Sequence, residues 1–172
     1  MGSEEENKWD YSVKMTLKEY FDAPLTLPHK GVVLIVRELE KLLGKEEAHK
    51  FIGDLWERER VRRTKEKVEK NPYKSFDDWV QRHEADAGMW SHVNLDEPTI
   101  VTENTRICNT VGCLWADIYR EWGAEDIGYL IECKPDFAVI VAEHPNLRLE
   151  RTKTCMQGDD CCDFKFIWEE KE

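Results

Sequence analysis

No cysteine occurs in the first hundred residues, and none of the six that follow forms a Cys-x-x-Cys pair. That spacing excludes zinc-ribbon and thioredoxin signatures, so any metal site would have to be assembled from distant segments. The sequence also lacks Gly-x-Gly-x-x-Gly, a Walker loop and His-Glu-x-x-His, which removes the common nucleotide-binding and zincin signatures. No internal repeat or low-complexity linker interrupts it. The longest apolar stretch, Val32-Val33-Leu34-Ile35-Val36, is far shorter than the roughly 18 residues of a membrane span. Positive charge is in deficit: 25 Lys and Arg against 36 Asp and Glu leave a net charge of −11, which argues against a nucleic-acid partner.

The 172 residues are 41% hydrophobic and 35% charged, the balance of a globular protein, and fit one domain spanning 1–172. The acidic start, Met1-Gly2-Ser3-Glu4-Glu5-Glu6, is the opposite of a signal peptide and predicts a cytoplasmic protein. In that compartment six cysteines are expected as thiols, nucleophiles or ligands before disulfides. Residues 1–10 are expected to be disordered.

Residues 11–88 read as a helical layer. A short helix is expected over Val13 to Phe21. From His29 to Leu43, Val32, Val33, Ile35, Val36, Leu39, Leu42 and Leu43 keep a helical period and predict a core-facing helix ended by Gly44. A second helix is expected from Lys45 to Lys70, burying Ala48, Phe51, Ile52, Leu55 and Trp56 and stopped by Asn71-Pro72. Its basic run, Arg58, Arg60, Arg62, Arg63, Lys65 and Lys67, interleaves with Glu57, Glu59, Glu66 and Glu69 and reads as a solvated, ion-paired face. His29, His49 and His83 also read as solvated. Ser75, with Asp78 three residues on, is expected to cap a third helix stopping near Gly88.

Residues 89–168 read as an α+β part. Alternation around Trp90, His92 and Asn94 and the β-branched run Ile100 to Thr105 predict two strands. Helical spacing returns over 112–122. A further helix is expected from Ala124 to His144, interrupted by Pro135 beside Cys133. Leu147–Thr154 and Cys162–Trp168 alternate by two around Gly158 and predict a hairpin with Cys162, Phe164, Phe166 and Trp168 on one face. The expected fold is α+β: an N-terminal helical layer packed on a small, mainly antiparallel sheet, with two further helices.

Candidate chemistry falls in that second part. Cys113 opens a helix, where the dipole and free N–H groups favour a thiolate and hence a nucleophile; the competing reading is a small buried hydrophobe. Cys133 and Asp136, three apart on one helix, face the same side, so the carboxylate is placed to take a proton, orient water or hold a cationic group. Cys155, Cys161 and Cys162 do not converge readily on one ion, since neighbours on a strand face opposite ways. His92 or His144 would be the partner in a Cys-His pair, although His144 reads better as a helix cap.

The order of Cys113 ten residues before Gly123, Cys133-x-x-Asp136, Leu149-Glu150-Arg151-Thr152 and Gly158-Asp159-x-x-Cys162-x-Phe164 resembles the L-2-amino-thiazoline-4-carboxylic acid hydrolase family over residues 100–168. The resemblance implies a hydrolase acting on a small molecule, opening a C–N bond in a cyclic amidine or thiazoline-like ring; no cofactor is predicted, and the thiols beyond the family pattern leave room for a metal or redox role. It places Cys113 or Cys133 as nucleophile, Asp136 as base or amidine clamp, Arg151 on a substrate carboxylate and Cys162 at the binding site. Cys108, Cys155 and Cys161 are thiols beyond the family pattern, and Leu114 stands where a proline usually follows the first motif cysteine. The last motif is also similar to 4-vinyl reductase type domains, which implies a noncatalytic small-molecule- or metal-binding module as the alternative.

Overall fold

The computed structural model describes residues 26–90 and 94–170; the expectations of a frayed 1–10 and a helix over Val13 to Phe21 lie outside them. The chain divides into two compact units, residues 1–35 and residues 36–172. The sheet, the cavity and the cysteines all belong to the second.

Glycine and proline set the helix boundaries. Helix α1 (Thr26–Leu43) ends at Gly44, whose φ of 84° suits a residue without a Cβ. Helix α2 (Lys45–Lys70) stops at Asn71, before Pro72. Helix α3 (Phe76–Trp90) starts after Ser75, whose Oγ accepts from the Asp78 N–H at 3.2 Å, while the Asp78 carboxylate accepts from the Lys74 N–H. The helix runs two residues past the expected stop at Gly88, so Met89 and Trp90 are helical and not the start of a strand.

Burial along α1 and α2 is narrower than their periodicity implies. Val33 and Val36 are buried, but Ile35, Leu42 and Leu43 are exposed. On α2, Ala48 and Ile52 occupy the buried face, Leu55 and Trp56 are half-buried, and Phe51 points to solvent. A helix with so many charges buries only a thin stripe.

The five-stranded sheet is antiparallel throughout. Strand β3 (Thr105–Cys113) is its centre: β1 (Asn94–Asp96) and β2 (Ile100–Val101) pair with one edge, and β5 (Cys162–Trp168), flanked by β4 (Leu147–Glu150), pairs with the other. The sequence carries no clear strand signal over 106–111, where Arg106, Asn109 and Thr110 dilute the apolar pattern. Along β3 burial alternates strictly, with Arg106, Cys108, Thr110 and Gly112 on the inner face.

Between β3 and β4 the chain makes α4 (Leu114–Glu121), α5 (Glu125–Gly128), a π-helical turn (Tyr129–Cys133) and α6 (Asp136–Glu143). The last three form the interrupted helix expected over 124–144. The Lys134 N–H reaches five residues back to the Tyr129 carbonyl at 2.8 Å, and Pro135 supplies no N–H, so carbonyls are released from the helical ladder next to Cys133. Helix α6 lies on β4 and beside α2. Tyr73, Phe76, Trp79, Val80, Ile140, Leu147, Leu149 and Phe166 form a core that joins α3 and α6 to the β4–β5 side of the sheet.

Candidate active site

A cavity of about 410 Å³ opens between the inner face of the sheet and the helices, and Cys113, Cys133, Asp136, Arg151 and Cys162 all line it. Cys113 is the last residue of β3 and the N-cap of α4. Cys133 ends the π-helical turn and Asp136 opens α6. Cys162 begins β5 opposite Thr110.

The freed carbonyls of the interrupted helix are taken up by two arginines. Arg60 donates to the Glu132 carbonyl at 3.0 Å and through Nη2 to Asp136 Oδ1 at 3.1 Å. Arg151, with only 2% of its side chain exposed, donates to the Cys133 carbonyl at 2.8 Å and through Nη1 to Asp136 Oδ2 at 2.9 Å. Asp136 is therefore bracketed by two guanidiniums, one on each carboxyl oxygen. Burial pushes its carboxyl upward from the ordinary value, and the two guanidiniums pull the other way. Each oxygen keeps a lone-pair direction beyond its arginine bond.

Arg60 belongs to the run that reads as a solvated face. Its neighbours fit that reading: Arg62 pairs with Glu59 and Glu66, and Arg63 with Glu59. Arg60 departs because its position on α2 turns it toward α6, which sequence spacing does not reveal.

The thiols are shifted upward by burial. Cys113 rises to about 11, against the weaker pull of the Ala116 and Trp115 N–H groups, so the helix start does not yield the low-pKa thiolate expected there. Cys162 rises to about 12; its Sγ accepts from the Cys155 N–H at 3.2 Å. Cys133 is raised further, with Arg151 pulling it down and Asp136 pushing it up. At neutral pH the cavity presents protonated thiols. Cys108 lines it as well, while the Cys155 thiol donates to the Thr110 carbonyl at 3.4 Å.

Two aspartates of the closing segment, Asp159 and Asp163, brace the backbone. Asp163 accepts from the N–H groups of Thr152 and Lys153 and from the Thr152 hydroxyl, and Asp159 accepts from the Thr154 N–H. Gly158, at φ 93°, closes the 3₁₀ turn Cys155–Gln157 that lies between β4 and β5. These contacts fix the segment carrying Arg151 against the start of β5.

His83 was expected in solvent, yet it lines the cavity: Nδ1 lies 3.2 Å from the Trp79 carbonyl and Nε2 3.5 Å from the Glu143 carboxylate, which also accepts from Trp79 Nε1. His144, expected as a helix cap or as the partner of a cysteine, stacks on Trp168 and accepts from the Asn146 N–H through Nδ1. His92 lies outside the described residues. Among the described residues, one trio of donors sits close enough to share an ion, Glu40, His49 and Asp126, and it is not in this cavity. Arg37 and Lys45 already pair with its carboxylates.

Among the described residues no helix is long and apolar enough to cross a membrane. No curated protein matches the chain. The model of one family matches residues 27–166, taking in the cavity-forming helices as well as the motifs of the second half. The chain belongs to the L-2-amino-thiazoline-4-carboxylic acid hydrolase family.

Proposed function

We propose that the protein is a hydrolase that opens a carboxylated cyclic amidine of the thiazoline type, with Cys133 and Asp136 at the reacting end of the cavity. The observation that carries this reading is the Asp136 carboxylate, fixed by Arg60 and Arg151 three residues from Cys133. A protonated 2-aminothiazoline presents two parallel N–H donors, and the remaining lone pairs of Asp136 suit them as a carboxylate suits a guanidinium. The amidinium brings a positive charge next to Cys133, which favours its thiolate at the moment of binding.

In the proposed reaction the Cys133 sulfur adds to the carbon between ring nitrogen and ring sulfur, its proton passing to solvent. One ring bond to that carbon then opens, the departing atom taking a proton. Water displaces Cys133 from the same carbon and regenerates the thiol, so the net change is addition of one water. Cys113 and Cys162 line the wall beside this carbon in the reading, and Arg151 acts as a positioning residue through Asp136. Expulsion of nitrogen is the C–N opening and leaves an amine; expulsion of sulfur leaves a free thiol.

The test is incubation of purified protein with L-2-amino-thiazoline-4-carboxylate. Enzyme-dependent gain of one water by mass supports the reading, and titration of the product with a thiol reagent tells which ring bond opened. An unchanged substrate mass would contradict it. The upward shift that holds Cys113, Cys133 and Cys162 protonated also favours a second reading, a binding module without turnover. It predicts saturable binding of the same compound and no mass change.

A further inference from the structure

Arg106 is a cation lining this cavity that the proposed reaction does not use. It sits on the inner face of β3, is 8% exposed and lines the cavity, and its Nε is buried without a hydrogen-bond partner among the described residues. No ion pair reaches its guanidinium among the described residues, whereas Arg60 and Arg151 are committed to Asp136. Phe166 lies across from it on β5, with the guanidinium carbon 5.6 Å from the ring centroid, and Cys108 is two residues along the same face; the carboxylates of Asp96, Glu132 and Glu143 line the same cavity without an ion pair to it. A buried guanidinium without an acid is costly unless an anion completes it.

We infer that Arg106 anchors the carboxylate of a small heterocyclic acid, and that the cavity is two-ended, with anion recognition at Arg106 and ring chemistry at Cys133 and Asp136. The inference deepens the proposed hydrolase reading and rests on it for the choice of ligand. It moves the carboxylate contact from Arg151, whose fork is filled by Asp136 and the Cys133 carbonyl, to Arg106. The register supports a separation of the two ends: Arg106 faces Phe166 while Thr110, four residues on, faces Cys162, roughly 13 Å along the strand between their backbones at about 3.3 Å per residue. The long arginine side chain spans part of that distance, leaving room for a ring between the ends. Asp96, which accepts from the Thr110 hydroxyl, places negative charge toward the thiol end and discourages an anion from binding there in reverse.

The experiment compares L-2-amino-thiazoline-4-carboxylate with 2-amino-2-thiazoline, which lacks the carboxylate, by calorimetry and turnover on wild type, Arg106→Lys and Arg106→Met. Wild type is expected to prefer the carboxylate. Arg106→Met should raise its Kd and KM about 10- to 100-fold, the worth of a charged hydrogen bond, change kcat much less, and abolish the preference between the two compounds. Arg106→Lys should fall between. Since it removes an uncompensated buried cation, Arg106→Met should also melt no lower than wild type; should it fail to fold, Arg106→Gln carries the same comparison. Ring opening with wild-type KM and preference in the variants would overturn the anchor and leave the reaction standing. Arg106-dependent binding of the carboxylate without ring opening would keep the anchor and overturn the reaction. Absence of both binding and opening in wild type would overturn both.

Discussion

Arg151 and Asp136, fifteen residues apart in sequence and on different elements, meet at 2.9 Å, and the second arm of the same guanidinium closes on the Cys133 carbonyl at 2.8 Å. One side chain thus ties the end of β4 to the point where the helix is interrupted. The tie sets the orientation of the carboxylate and of the backbone that carries the thiol. It falls where the helix is broken, between the π-helical turn that Cys133 ends and the helix that Asp136 opens.

Arg151→Met is expected to destabilise the fold by about 3 kcal/mol, the usual cost of removing one partner from a buried ion pair. Arg151→Lys should retain part of the stability and lose the geometry, since an ammonium cannot span carboxylate and carbonyl as a fork. Denaturant melts report the first effect and turnover the second. A wild-type melt in Arg151→Met would contradict the role assigned to the tie.

Thiol labelling should follow burial. Iodoacetamide at pH 7.5 is expected to modify Cys161, half-exposed on the turn, before Cys113, Cys133 or Cys162, and peptide mapping by mass reads the order. Bound thiazoline carboxylate should change the rate at Cys133. Fast neutral-pH labelling of Cys133 in the free protein would mean that burial does not hold that thiol protonated.

The same shifts set an alkaline limit to stability. In the unfolded chain these thiols titrate near 9.0, and in the fold Cys113 and Cys162 titrate near 11 and 12. Folded pKa values above the unfolded ones mean that the contribution is complete below about pH 9 and is lost as pH rises through the folded values. Melting temperature should therefore drop between pH 9 and 11. Cys162→Ala should flatten that drop relative to wild type, and an identical pH slope in the two proteins would count against it.

Gly128 should not tolerate a side chain. A Cβ there would lie 2.6 Å from Tyr119 Cγ and 2.7 Å from Met156 Sδ, so the helix carrying Cys133 approaches α4 and the 3₁₀ turn through a missing methyl group. Gly128→Ala is expected to cost about 1–3 kcal/mol by overpacking, despite alanine's higher helix propensity. Equal or higher stability in the variant would show that Tyr119 and Met156 give way freely.

Much of this arrangement is legible before folding. Gly44, Asn71-Pro72 and Ser75 mark helix ends by local chemistry, and local chemistry is what a sequence displays. The interrupted helix around Pro135 and the facing of Cys133 and Asp136 follow from period and proline alone. Met89 and Trp90 misled because alternation over a few residues does not distinguish a strand from the last turn of a helix. Strand β3 was hidden by its polar residues: its inner face carries Arg106 and Thr110 where a more typical core strand would show aliphatic residues. Arg60 and Arg106 were illegible as site residues for a common reason. Their meaning lies in which cavity they face, and no spacing rule relates them to Asp136 or to Phe166.

The central claim, that Cys133 and Asp136 perform the ring opening, is tested most directly by turnover of L-2-amino-thiazoline-4-carboxylate in Cys133→Ser and Asp136→Asn beside wild type, each checked by its thermal melt. The account predicts loss of turnover by at least about 100-fold in each variant, in line with removal of a reacting group, with both proteins still folded. Full activity in both folded variants would contradict it.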